Sequence, residues 1–241
     1  MGVIDAGRPW LAALQPELGL ALAQWQQGAT VAAALNARFN AKTERLVLAS
    51  GPLHFVPQAA LPPGEAYEAF IHRTASVPTR DNLHDFLNGL VWLAQPAIKR
   101  RLNELQVTEM VRAGITAVRG PLRDALTLFD ENGALLQAPP VLLAALRARD
   151  WAGLFITHRA RWPEASLLIV GHALLEKLAT APRKALTAHV LLGDPLLMRK
   201  ADWAAKPFAP LPVLGVPGWW LANEEAGYYD DPAVFRPRRT P

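Results

Sequence analysis

Two histidines that stand among carboxylates at helical spacing are the residues of this chain best equipped for chemistry. In Arg80-Asp81-Asn82-Leu83-His84-Asp85-Phe86-Leu87-Asn88-Gly89-Leu90-Val91-Trp92, a period of 3.6 gathers Leu83, Phe86, Leu87, Leu90, Val91 and Ala94 into one apolar stripe. Asp81, His84, Asp85 and Asn88 face the other way, together with Trp92. A face made for water favours Lys, Glu, Gln and Arg. This one carries short polar groups, a titratable imidazole and a Trp that needs cover. In Gly171-His172-Ala173-Leu174-Leu175-Glu176, His172 and Glu176 are four residues apart and share a helix face. Either group buried alone in its charged form is costly, so each needs a partner. An imidazole beside a carboxylate can move a proton or hold a metal. It can equally be a structural pair linking two helices. On the chemical reading, His84, His172, Glu176 and Asp85 are the candidate catalytic groups, with a polar pocket between the two helices. Arg80, Asp81 and Asn88 are candidate binding groups beside them.

Further candidates lie elsewhere. Arg123 and Asp124 are free to pair with each other or with His172 and Glu176. Trp219 and Trp220, followed by Asn223 and Glu224, resemble an aromatic platform for a sugar or a base, and core anchoring explains them as well. The pair His84-Asp85, with His54 before it and Asp124 or Asp130 after it, matches loosely the ligand order of metal phosphohydrolases. There a divalent metal activates water. His54, however, falls in a predicted strand. No glycine-rich phosphate loop, serine elbow or dinucleotide fingerprint is present. The absence of Cys excludes thiol catalysis, disulfides and Cys-ligated zinc.

These residues need a scaffold, and 241 residues with 51% hydrophobic content supply one large core. The spacing predicts a mainly α fold, a single compact domain with one or two small β-hairpins. The body covers residues 1–205, and an extended, Pro- and aromatic-rich C-terminal arm over 206–241 packs on it. Helices are expected at residues 10–26, 31–39 (capped by Thr30), 65–74, 97–112, 141–149, 151–161, 163–179 and about 182–192. Hairpins are expected around Ser50-Gly51-Pro52, between residues 45–49 and 53–56, and around Asp130-Glu131-Asn132-Gly133, because Asn-Gly suits a tight turn. Thr79 or Asp81 should cap the helix of His84. No segment is long and apolar enough for a membrane span, and the N-terminus lacks a signal-peptide pattern, so a cytoplasmic protein is expected. The formal charge of +4 comes from scattered Arg with short runs at Lys99-Arg100-Arg101 and Arg236 to Arg239. That is no basic stripe for nucleic acid. The expected partner is a small molecule, with a divalent metal as the candidate cofactor.

Four blocks carry a resemblance. They are Val77-Pro78-Thr79-Arg80-Asp81-Asn82-Leu83-His84-Asp85, Gly120-Pro121-Leu122-Arg123-Asp124 continuing to Gly133, Gly171 to Leu178, and Leu211-Pro212-Val213-Leu214-Gly215-Val216-Pro217-Gly218-Trp219-Trp220 running into Tyr228-Tyr229-Asp230-Asp231. In order and spacing, from about residue 65 onward, they resemble a bacterial family known as domain of unknown function 3025. Leu221 stands where the family pattern leads one to expect Pro, a departure confined to the arm. The resemblance implies a soluble bacterial protein and specifies no activity. From the residues themselves, the expected function is a small-molecule- or nucleotide-processing enzyme, such as a metal-assisted hydrolase. The competing class is a non-catalytic ligand-binding or protein-interaction scaffold.

Overall fold

The computed structural model describes residues 4–41, 46–114 and 120–238. Arg45, Arg119 and Arg239 fall outside them. So do the start of the first expected strand and the end of the C-terminal basic run. In chain order the elements begin with α1 (Gln15–Gln26), α2 (Val31–Asn40), β1 (Val47–Leu48), β2 (Gly51–Pro52), β3 (His54–Pro57), α3 (Tyr67–Thr74) and β4 (Ser76–Thr79). There follow α4 (Leu83–Ala94), α5 (Pro96–Ala113), α6 (Pro121–Asn132), β5 (Gly133–Gln137) and α7 (Pro140–Ala148). The last are β6 (Ser166–Ile169), α8 (His172–Thr180), β7 (Thr187–Leu191), α9 (Lys200–Ala204) and β8 (Phe208–Pro212). The described residues are mainly helical, as expected.

The chain divides into two compact units. A helical unit comprises Ala13–Asp130 and Asp194–Lys206. A sheet unit comprises the residues up to Ala12, Glu131–Gly193 and the residues from Pro207 on.

In the helical unit, Thr30 caps α2 as expected, its Oγ1 accepting from the Ala33 N–H at 3.2 Å. The first expected hairpin is only partly present. β1 and β2 pair antiparallel over two residues each, whereas β3 pairs in parallel with β4, with α3 as the crossover between them. Asn36 of α2 extends this small sheet. Its side chain donates to the Phe55 carbonyl at 2.7 Å and accepts from the Phe55 N–H at 2.9 Å. α4 is buried on both sides from Asp85 to Leu93. Gly89 lets the helix approach α2 closely: a Cβ there would lie 2.2 Å from a Leu35 methyl, so a side chain would need Leu35 to move.

The sheet unit corrects the sequence reading most. A mixed four-stranded sheet in the order β6-β5-β7-β8 replaces the small hairpins. α6 runs straight through Asp130, Glu131 and Asn132, so no hairpin turns there. Its stripe of Leu122, Ala125, Leu126 and Phe129 is buried and carries the helix up to the start of β5. Ser166–Ile169 and Thr187–Leu191, expected within helices, are the strands β6 and β7. β6 pairs antiparallel and β7 in parallel with β5. β8 is an edge strand, where Pro210 and Pro212 are tolerated because their missing N–H groups cost no ladder bonds.

Candidate functional site

α4 is capped by Asn82, whose Oδ1 accepts from the Asp85 N–H at 2.8 Å. The two expected caps are engaged elsewhere. Asp81 accepts from the Val31 N–H, at the first turn of α2, at 2.7 Å. Thr79 Oγ1 donates to the Val56 carbonyl at 2.9 Å. Asp85 is buried and engaged by Arg80. It takes the Arg80 N–H at 2.6 Å and the Arg80 guanidinium through Nε at 3.1 Å and Nη2 at 2.9 Å. His84 is half-buried on the first turn of the helix. Trp92 is fully covered, as its place opposite the stripe requires.

Asn88 belongs to a network that the sequence did not disclose. Its Nδ2 donates to the Tyr67 hydroxyl at 3.1 Å, and its Oδ1 accepts from Lys99 Nζ at 2.9 Å. Lys99 is buried, pairs with Asp130, and stands 5.4 Å from the centre of the Trp92 ring. Beside it, Asn103 donates to the backbone carbonyl and the carboxylate of Glu68. Burial pushes the Glu68 carboxyl above its ordinary range, and the neighbouring Asp130 adds to the rise. Burial, with Glu68 alongside, raises the Tyr67 phenol well above its usual value. In the sequence, Lys99 stands in the short basic run Lys99-Arg100-Arg101. Its place in line with Leu102, Asn103 and Gln106, all buried on α5, was the available signal. Arg123 meets the Gln106 side chain at 3.3 Å, and exposed Asp124 pairs with Lys206. His54 is exposed on β3. The loose His54, His84-Asp85, Asp124 or Asp130 pattern therefore has its outlying members in other employment or in solvent.

In the sheet unit, the end of α6 and the start of α8 are clamped together. The Gly133 carbonyl accepts the N–H groups of Val170 and Gly171 at 3.0 and 2.9 Å. Gly171 lies so close that a Cβ would fall 2.5 Å from the Asn132 Cα. This contact brings His172, the first residue of α8 and buried, to Glu131. Nε2 and the Glu131 carboxylate oxygen are 3.6 Å apart. Two donors bound to one tetrahedral ion at about 2.0–2.1 Å stand about 3.3 Å apart, close to what is seen. Glu131 is partly exposed, so the pair opens to solvent on the carboxylate side. Glu176 is half-buried one turn further along α8. Glu131 was missed because Asp-Glu-Asn-Gly read as a turn. Trp219 and Trp220 are half-buried in the same unit. The ring of Trp219 sits 6.3 Å from that of Trp10.

With this geometry in view, comparison with known proteins is informative. The family described as protein of unknown function (DUF3025) matches residues 53–200 and 192–239. The chain belongs to this family. His84, Glu131, His172 and Trp219 all lie within the span that matches the DUF3025 family. No curated protein and no solved structure matches the chain, so the chemistry rests on the residues. Among the described residues, no helix is long and apolar enough to cross a membrane.

Proposed function

We propose that the chain is a small-molecule-processing enzyme, a metal-assisted hydrolase, whose chemistry centres on His172 and Glu131. One observation carries the reading: a buried imidazole nitrogen and a partly exposed carboxylate face each other at 3.6 Å. That nitrogen–oxygen spacing is close to the separation of two donors on one tetrahedral cation. Nitrogen and oxygen donors of this kind suit Zn²⁺ or Mn²⁺. Such an ion would polarise a substrate oxygen and lower the pKa of a bound water. His172 is fixed by the Gly133–Gly171 clamp, while Glu131, with one side open, is placed to orient substrate or water. Glu176, on the same helix as His172, is the candidate to orient the imidazole.

The test is hydrolysis of a panel of p-nitrophenyl esters and phosphoesters by the full chain. It is run after chelation and again after Zn²⁺ or Mn²⁺ is restored. The reading expects activity that returns with metal and falls at least about a hundredfold in Glu131→Gln. Activity indifferent to chelator and to both His172→Ala and Glu131→Gln would overturn it. His84, which the sequence assigns to the same chemistry, is varied in parallel. Loss of activity in His84→Ala with an unchanged melting temperature would add it to the working set.

A further inference from the structure

The sheet unit holds a cleft of about 400 Å³ apart from the His172–Glu131 pair. Trp162, Leu167, Val216 and Trp219 wall it with apolar surface, and Arg159 and Glu224 are its charged side chains. The volume lies within the range of small-molecule sites, as does the pattern of apolar walls with few polar groups.

Its charged edge is built and held. Arg159 Nη2 donates to Asn223 Oδ1 at 3.1 Å and to Glu224, and Nη1 donates to the Tyr229 hydroxyl at 3.0 Å. Asn223 is itself buried and tied by its Nδ2 to the carbonyls of Leu214 and Val216 at 2.9 and 2.8 Å. The Tyr229 hydroxyl donates to the Gly215 carbonyl at 2.8 Å. Phe155 stacks on Trp162 at 5.9 Å and on Tyr229 at 5.2 Å, which stiffens the wall beneath.

We infer that this cleft binds an uncharged, planar aromatic heterocycle, stacked on Trp219 and donating an amino or ring N–H hydrogen to Glu224. Three alternatives fit less well. An anion gains little, because Arg159 already has its charge met by Glu224. A sugar presents hydroxyls around its rim, and the apolar walls leave most of them unpaired, at a cost for each. A plain hydrocarbon would desolvate Arg159 and Glu224 without replacing their water. A flat ring with one donor edge covers Trp219 and satisfies the exposed carboxylate.

The experiment is equilibrium dialysis of the full chain against adenosine and guanosine, with indole and maltotriose as comparisons. The expected result is binding of at least one nucleoside. Trp219→Ala should weaken it about tenfold or more, since base stacking on an aromatic ring is worth that much. Leu167→Trp fills the cleft from β6 and should abolish binding while the melting temperature holds. That second variant keeps the test decisive if Trp219→Ala disturbs folding. Failure of both nucleosides to bind at millimolar concentration would overturn the inference. So would binding unaffected by Leu167→Trp, or preferential binding of maltotriose. Hydrolysis dependent on Glu131 is read separately, so either idea can fail without the other.

Discussion

Lys99 in the helical unit and His172 in the sheet unit are buried to the same degree, each 4% exposed, yet they stand in different company. Lys99 is met at 2.9 Å by Asn88, paired with Asp130 and covered by the face of Trp92. His172 faces Glu131 across 3.6 Å, and that carboxylate is partly open to water. A buried charge whose hydrogen-bonding capacity is taken up by its neighbours specifies packing. A buried imidazole facing a carboxylate that is partly open to water leaves that carboxylate within reach of a third body. On the proposed function, the contrast is between polar residues that hold the fold and residues offered to a ligand, two kinds that look alike in a sequence.

The comparison breaks most visibly at Asp130. Asp130→Ala strands the Lys99 ammonium without its carboxylate, so stability should fall by about 3–5 kcal/mol, as for a broken buried pair. Urea denaturation measures this directly. The double variant Lys99→Met, Asp130→Leu should recover much of the loss, because it removes both charges together. A single variant as stable as the parent would show that the network is not structural.

A smaller effect sharpens the same side. The Glu68 carboxyl is raised above its ordinary range, first by burial and then by Asp130. The folded chain therefore keeps this proton to higher pH than the unfolded chain. Stability contributed by the protonated form is full below the ordinary glutamate range and is lost as pH rises through the raised value. Glu68→Gln should remove that loss. Its melting temperature should match the parent's at low pH and exceed it at about pH 8. Equal melting temperatures across that range would mean that Glu68 is not destabilised by its surroundings.

Legibility in the sequence followed how local each signal was. The amphipathic pattern of α4 was readable, including the need to cover Trp92, because Phe86, Leu87, Leu90 and Val91 repeat at helical spacing. Thr30 was readable as a cap for the same reason. β6 and β7 were not: Ser166–Ile169 is a short edge strand, buried only at Ile169, and its apolar run without alternation suits a helix equally well. Gly171, which separates β6 from α8, was the residue that should have divided them. The parallel pairing of β3 with β4 joins residues about twenty apart and leaves no local trace. His172 was found because a histidine in an apolar run is conspicuous. Glu131 was lost to the turn chemistry of Asn132-Gly133, which here marks the passage from α6 into β5.

The central claim is that His172 and Glu131 are donors offered to a cation. The most direct measurement is Zn²⁺ affinity of the full chain by competition with a chromophoric chelator, for the parent, His172→Ala and Glu131→Gln. The account predicts one bound Zn²⁺ per chain, lost in His172→Ala and weakened about tenfold or more in Glu131→Gln. The Glu131→Gln change should alter stability by less than about 1 kcal/mol, since that carboxylate is partly exposed. No Zn²⁺ bound by the parent, or equal affinity in all three proteins, would contradict it.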